Sequence, residues 1–216
     1  MSGLLHISSS PRGDASESLA VAQSFLDAYR ESHPGSEIRV WDLWDGSLPA
    51  FGPPAAAAKM AVFAGQQPQG EEAAAWQAAL HAFARFNAFD HYLFSVPMWN
   101  ATIPYILKQF IDVVSQPGLV FEFDPESGYS GLLAGKTVAV IYTGGVWGPG
   151  RPTSFGSDFQ KPYFEDWLRW AGIDDITTIR FQPNLATADA TTARERAMAQ
   201  AAATGARFGD RWQASA

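Results

Sequence analysis

Leu4-Leu5-His6-Ile7-Ser8-Ser9-Ser10-Pro11-Arg12-Gly13-Asp14-Ala15-Ser16-Glu17-Ser18 is an apolar run that breaks into turn formers and reopens as a helical pattern. It reads as strand, loop, helix, with the loop dense in hydroxyls. Beyond it, Ala22, Phe25, Leu26 and Tyr29 fall on one helical face, which must stop before Pro34-Gly35. Ile38 and Val40 alternate with charged neighbours into Trp41, the pattern of a strand near a sheet edge.

The same alternation continues along the chain. Glu71 to Asn87 carries Trp76, Leu80, Phe83 and Ala84 on a helical stripe, and Tyr92-Leu93-Phe94-Ser95-Val96 is a nearly continuous apolar strand ending at Pro97. Ile103, Ile106, Leu107, Phe110, Ile111 and Val114 define the clearest helix, with Pro104 tolerated in its first turn. Val120 to Phe123 and Gly128 to Gly131 read as a short ribbon, and Val138 to Tyr142 as a second buried strand running into Thr143-Gly144-Gly145. A helix around Tyr163 to Ala171, a strand at Ile176 to Phe181 and a helix from Ala190 to Phe208 follow. Five strands alternating with five helices predict an α/β fold, a parallel sheet with helices on both faces. Residues 46–69, rich in Pro, Ala and Gly, still hold Phe51, Met60, Val62 and Phe63. They therefore read as an excursion on a single domain spanning 1–216, and not as a linker.

Composition narrows the function. With 216 residues, 47% hydrophobic and 17% charged, the chain is long and apolar enough to bury one substantial core. The absence of cysteine removes disulfides, thiolate metal sites and a thiol nucleophile, and the four histidines lack metal-ligand spacing. A net charge of −7 with no basic cluster argues against nucleic acid. No apolar run is long enough to span a membrane and the opening residues lack a signal-peptide pattern, so a cytoplasmic protein is expected. Gly131 to Lys136 precedes a strand where a P-loop must follow one, and Gly128-Tyr129-Ser130-Gly131 has the wrong spacing for a hydrolase elbow.

In an open parallel sheet, ligands bind beyond the carboxyl ends of the strands, where the order of strand addition reverses. Three loops fall there. Ser8, Ser9, Ser10, Ser16 and Ser18 surround a helix start, where free N–H groups and the positive end of the dipole favour phosphate. The plainer use of Ser16 or Ser18 is a helix cap. Glu17 must turn its carboxylate away from any phosphate held there. Pro97-Met98-Trp99-Asn100-Ala101-Thr102 offers an apolar wall with backbone donors, suited to a flat heterocycle. Gly144-Gly145 allows close backbone approach.

Ser8 to Ser18, Pro97 to Asn100, Leu107-Lys108 with Ile111-Asp112, Gly118 to Phe123 and Gly131 to Lys136 resemble, in the same order, the FMN-dependent NADH-azoreductases and related quinone reductases. The resemblance implies a three-layer flavodoxin-like fold whose five-stranded parallel sheet has the order 2-1-3-4-5. It implies FMN as cofactor, with Ser10, Ser16, Glu17 and Ser18 at the phosphate. Pro97, Met98, Trp99, Asn100 and Ala101 would lie along the isoalloxazine, and Thr143, Gly144 and Gly145 at its pyrimidine end. Phe121 matches a flap phenylalanine that covers the neighbouring subunit's flavin, which implies a homodimer; Phe121 and Trp147 are expected to face the substrate. The family commonly has Tyr where Trp99 stands, Phe where Ala101 stands, and Ser-Arg-Gly-Gly where this chain has Thr143-Gly144-Gly145. The implied activity is two-electron transfer from NADH or NADPH to quinones or azo compounds by a ping-pong route, with no side chain needed as a general acid. A flavodoxin-like electron carrier or flavin-binding regulatory module is the alternative.

Overall fold

Five short parallel strands build the centre of the molecule, described for residues 3–210 by a computed structural model. The single domain expected over 1–216 extends beyond that range at both ends. In chain order the elements are β1 (Leu4–Ser8), α1 (Glu17–Ser32), β2 (Ile38–Asp42), α2 (Pro53–Phe63), α3 (Gly70–Asn87), β3 (His91–Pro97) and α4 (Tyr105–Val114). There follow β4 (Phe121–Asp124), β5 (Gly128–Gly131), β6 (Thr137–Thr143), α5 (Lys161–Trp170), β7 (Asp175–Phe181) and α6 (Ala190–Gly205).

The sheet order is β2-β1-β3-β6-β7, all parallel, with Leu4 beside Ile38 and His91, Pro97 beside Thr143, and Thr143 beside Phe181. Leaving aside the antiparallel ribbon β4–β5, this is the expected order 2-1-3-4-5. Ser8, Asp42, Pro97, Thr143 and Phe181 thus share one edge, and the order reverses between β1 and β3. β2 is an edge strand, and its Val40 is 54% exposed.

Because successive side chains of a strand point to opposite faces, the core divides in two. Leu4, Leu93, Ala139, Ile141 and Ile179 pack with Phe25 and Tyr29 of α1 and Ala197 and Ala201 of α6. Leu5, Ile7, Tyr92, Phe94, Val138, Val140 and Tyr142 pack with Phe86 of α3, Phe110 of α4 and Phe164 and Trp167 of α5. Phe110 meets Trp41, Phe86, Phe94 and Trp167 at ring separations of 5.4–6.2 Å. Truncating a phenylalanine so enclosed costs about 3–5 kcal/mol.

One element departs from the expectation. The 46–69 excursion contains a helix, α2. Pro53 and Pro54 open it, where the missing N–H groups are harmless, and a run of alanines continues it. Alanine propensity makes the helix without an apolar stripe, so periodicity does not reveal it. Its Ala55 and Ala58 are buried, and its Lys59 Nζ donates to Ser115 O at 2.9 Å.

Candidate functional site

The loop after β1 turns its serines inward. Ser8, Ser9, Ser10, Ser16 and Ser18 are all at most 4% exposed, while Pro11 to Ala15 are exposed. Ser9 donates from its backbone N and from Oγ to Ser95 O, at 3.2 and 2.8 Å, which fixes the start of the loop against β3. Ser16 is the N-cap of α1, its Oγ accepting from Leu19 N at 3.3 Å. The capping role and a hydroxyl cradle coexist, since Ser16 Oγ also lies 3.1 Å from Ser18 Oγ. Glu17 turns aside: its Oε2 pairs at 2.8 Å with Arg194 Nε of α6, 177 residues away in sequence. Beneath the loop, His6 is buried and its Nε2 lies 2.8 Å from Ser95 Oγ. Burial disfavours the imidazolium and pulls the His6 pKa down to about 4.

The loop after β3 contains a tight turn. Trp99 N donates to Thr102 O at 2.8 Å and Thr102 N to Trp99 O at 3.0 Å. The two central residues, Asn100 and Ala101, have φ of +48° and +68°. Asn tolerates this left-handed geometry and Ala does not favour it. Two outside contacts hold the turn: Phe159 N donates to Ala101 O at 2.9 Å, and Met98 N to Thr143 O at 2.7 Å. Trp44, from the loop after β2, donates from Nε1 to Ser9 O at 3.0 Å and lies 5.8 Å from the Trp99 ring and 5.2 Å from Tyr105. An apolar groove of about 410 Å³ opens beside Trp99, lined also by Asn100, Thr102, Ile103, Tyr105 and Lys108.

The glycine loop after β6 is fastened to the loop after β7. Asn184 N donates to Gly144 O at 2.9 Å, and Leu185 N and Ala186 N to Gly145 O at 3.0 Å. A Cβ on Gly144 would lie 3.0 Å from Gln182 Nε2 and 3.3 Å from Met98 Cβ, so a larger residue would press on both neighbours. Trp147 is half-buried, its ring 5.4 Å from the Arg180 guanidinium.

These arrangements bring Ser10, Ser16, Ser18, Met98 to Ala101 and Thr143 to Gly145 to one edge of the sheet, around the reversal point. Phe121 is 2% exposed, packed against Trp170, Tyr129 and Phe63. α4 and α5 each run about 15 Å back along the sheet, so β4, which follows α4, sits at the opposite edge from the loops. Leu133 N bonds Ala171 O at the end of α5 there. Phe121 is thus packed into its own chain at that edge, whereas Phe123, two residues on, is 52% exposed. The motif match found the strand without telling which of its two phenylalanines projects. Trp44, Arg194, Gln160 and Gln182 were not anticipated. An aromatic just past the end of β2 is the only one of these signals present in local sequence.

A parallel sheet whose strand order reverses beside three converging loops defines an α/β protein of the doubly wound class. The chain belongs to the flavodoxin-like fold family, whose match runs over residues 2–204. An FMN-dependent NADH:quinone oxidoreductase of Ruegeria pomeroyi is 44% identical over 199 residues, covering 92% of this chain and 98% of that protein. One of the same description from Desulfotalea psychrophila is 44% identical over 201 residues, 93% of each. In fold, the crystal structure of an azoreductase from Bacillus anthracis superposes with a TM-score of 0.88 at 24% identity, covering 96% of this chain and all of the other.

Proposed function

We propose that this chain is an FMN-dependent oxidoreductase that moves two electrons from NADH, or NADPH, to quinones and azo compounds by a ping-pong route. In this reading one three-layer domain carries the 46–69 segment as an excursion and works as a homodimer. The observation that carries it is the convergence of a buried serine cradle at the opening of α1 with the Trp99–Thr102 turn and the close-packed Gly144 loop. The relatives sharing 44% of its residues support the same activity.

The residues fit the cofactor. Ser10, Ser16 and Ser18 hold the phosphate together with the unpaired N–H groups of the first turn of α1. Glu17, drawn to Arg194, leaves that end clear of a carboxylate. Pro97 to Ala101 lie along the ring system, and Gly144, closely packed between Gln182 and Met98, holds the glycine loop beside them. When bound, FMN supplies the electron transfer between nicotinamide and acceptor. The protein holds the rings and places N–H dipoles at fixed positions, and no side chain acts as general acid. The groove beside Trp99 and Tyr105 forms one wall of the slot for a planar acceptor, and Trp147 is assigned to the other.

The test is the absorption spectrum of the purified protein followed by anaerobic addition of NADH and then a small quinone. A yellow protein that NADH bleaches and quinone recolours supports the enzyme. Bound FMN that NADH does not reduce would instead indicate the electron carrier, and a colourless protein that takes up no FMN refutes both.

A further inference from the structure

Behind the loops, a closed ring of polar groups joins three separate parts of the chain. Gln160 is fully buried; its Nε2 donates to Val96 O at 2.9 Å and its Oε1 accepts from Gln182 Nε2 at 2.8 Å. Gln182 Oε1 accepts from Arg180 Nη1 at 3.1 Å, and Arg180 Nη2 donates to Asp158 Oδ2 at 3.2 Å. Asp158 Oδ1 accepts the backbone N–H groups of Gln160 and Lys161, both at 3.0 Å, closing the ring. The Arg180 guanidinium also stands 5.8 Å from the Tyr142 ring and 5.4 Å from that of Trp147.

The ring has a direction. A carbonyl only accepts and a guanidinium only donates, so Val96 at one end and Arg180 at the other leave each amide a single orientation. Flipping either would set like against like. Burying such groups is a poor way to gain stability, because apolar side chains of the same volume would serve as well or better. What the ring specifies is position. Val96 leads directly into the Pro97–Ala101 loop. Phe159, between two ring members, donates to Ala101 O in the turn with two left-handed residues. Gln182 Nε2 is the atom that a Cβ on Gly144 would meet.

We propose that Gln160, acting through Gln182, Arg180 and Asp158, is a positioning residue that sets the spacing between the Pro97–Ala101 and Thr143–Trp147 loops. It thereby sets the orientation in which FMN is held. This rests on the flavin reading above. The ring touches the loops, and not the reacting atoms, so its loss shows as a misplaced cofactor.

Gln160→Met keeps the length of the side chain and removes both amide links. Three quantities are measured: the FMN dissociation constant by fluorescence titration, the visible circular dichroism of the bound flavin, and the urea midpoint of the flavin-free chain. Gln160→Met is expected to raise the dissociation constant about tenfold and to alter the flavin dichroism, with Arg180→Lys, which keeps the charge but loses the fork, falling in between. A dissociation constant within about twofold of wild type with unchanged dichroism overturns the proposal. So does weaker binding that only tracks a fall in the urea midpoint with the dichroism intact, since that is a merely structural role. Should Gln160→Met fail to fold, Gln182→Met cuts the same ring at a half-buried link and is read by the same criteria. Wild-type protein that takes up no FMN sinks the flavin reading itself; wild-type uptake with unaltered variants sinks only the ring.

Discussion

Lowering the pH from 7 to 4 tests the environment of His6. In the folded chain its pKa is pulled from 6.5 to about 4 by burial. Between those values the unfolded chain holds a proton that the folded chain does not, so stability falls as pH drops through this window and is retained above it. A tenfold difference in proton affinity between the two states is worth about 1.4 kcal/mol, so the full loss is about 3 kcal/mol, of which about 2 kcal/mol is gone by pH 5. His91, whose pKa burial also lowers, contributes in the same direction, so the comparison must be internal. His6→Gln can keep a hydrogen bond to Ser95 but cannot titrate. Urea unfolding of flavin-free wild type and variant at pH 7, 6, 5 and 4.5 should give two stability curves that diverge as the pH falls, the wild type dropping faster by about 2 kcal/mol at pH 5. Parallel curves would show that His6 is not held neutral by burial, and the account of the β1–β3 seam beneath the serine loop would be wrong.

Replacing Ser16 and Ser18 together with alanine should weaken FMN binding by about 10–100-fold, as charge-assisted hydrogen bonds are lost, and a titration showing unchanged affinity refutes the phosphate assignment. Ala101→Gly should raise the unfolding free energy by about 1 kcal/mol by relieving a φ of +68°, and a urea midpoint that falls would contradict the turn geometry. Gly131→Ala should destabilise by about 3 kcal/mol or more, because its Cβ would lie 2.2 Å from Gly172 N; a melting temperature equal to wild type would exclude that contact. Arg194→Ala frees Glu17 at the helix opening and should weaken FMN binding by about threefold at low salt, an effect that added salt should erase.

Strands and most helices were legible because they are bounded by turn formers and carry unambiguous periods, as in Tyr92 to Val96 and Ile103 to Val114. α2 was hidden because alanine forms helices without marking a face. The loop positions of Ser10, Ser16, Met98 and Gly144 followed from where the strands end. The side-chain partners did not: Glu17 with Arg194, and Gln160 with Val96 and Gln182, are contacts between distant segments that no local pattern encodes. Phe121 and Phe123, two residues apart, share one face of their strand. Which of them is covered depends on how far along the ribbon Trp170 and Phe63 reach, and that is set by tertiary docking.

The pairing of Glu17 with Arg194 and the packing of Phe25 against Phe208 bring the first helix onto the last. An unobstructed opening of α1 therefore depends on a segment 177 positions further along the chain. A nascent polypeptide halted before Ala190 would expose the apolar side of α1 and leave a carboxylate loose at the mouth of the cradle. Uptake of a phosphorylated ligand on the ribosome should accordingly strengthen as α6 emerges.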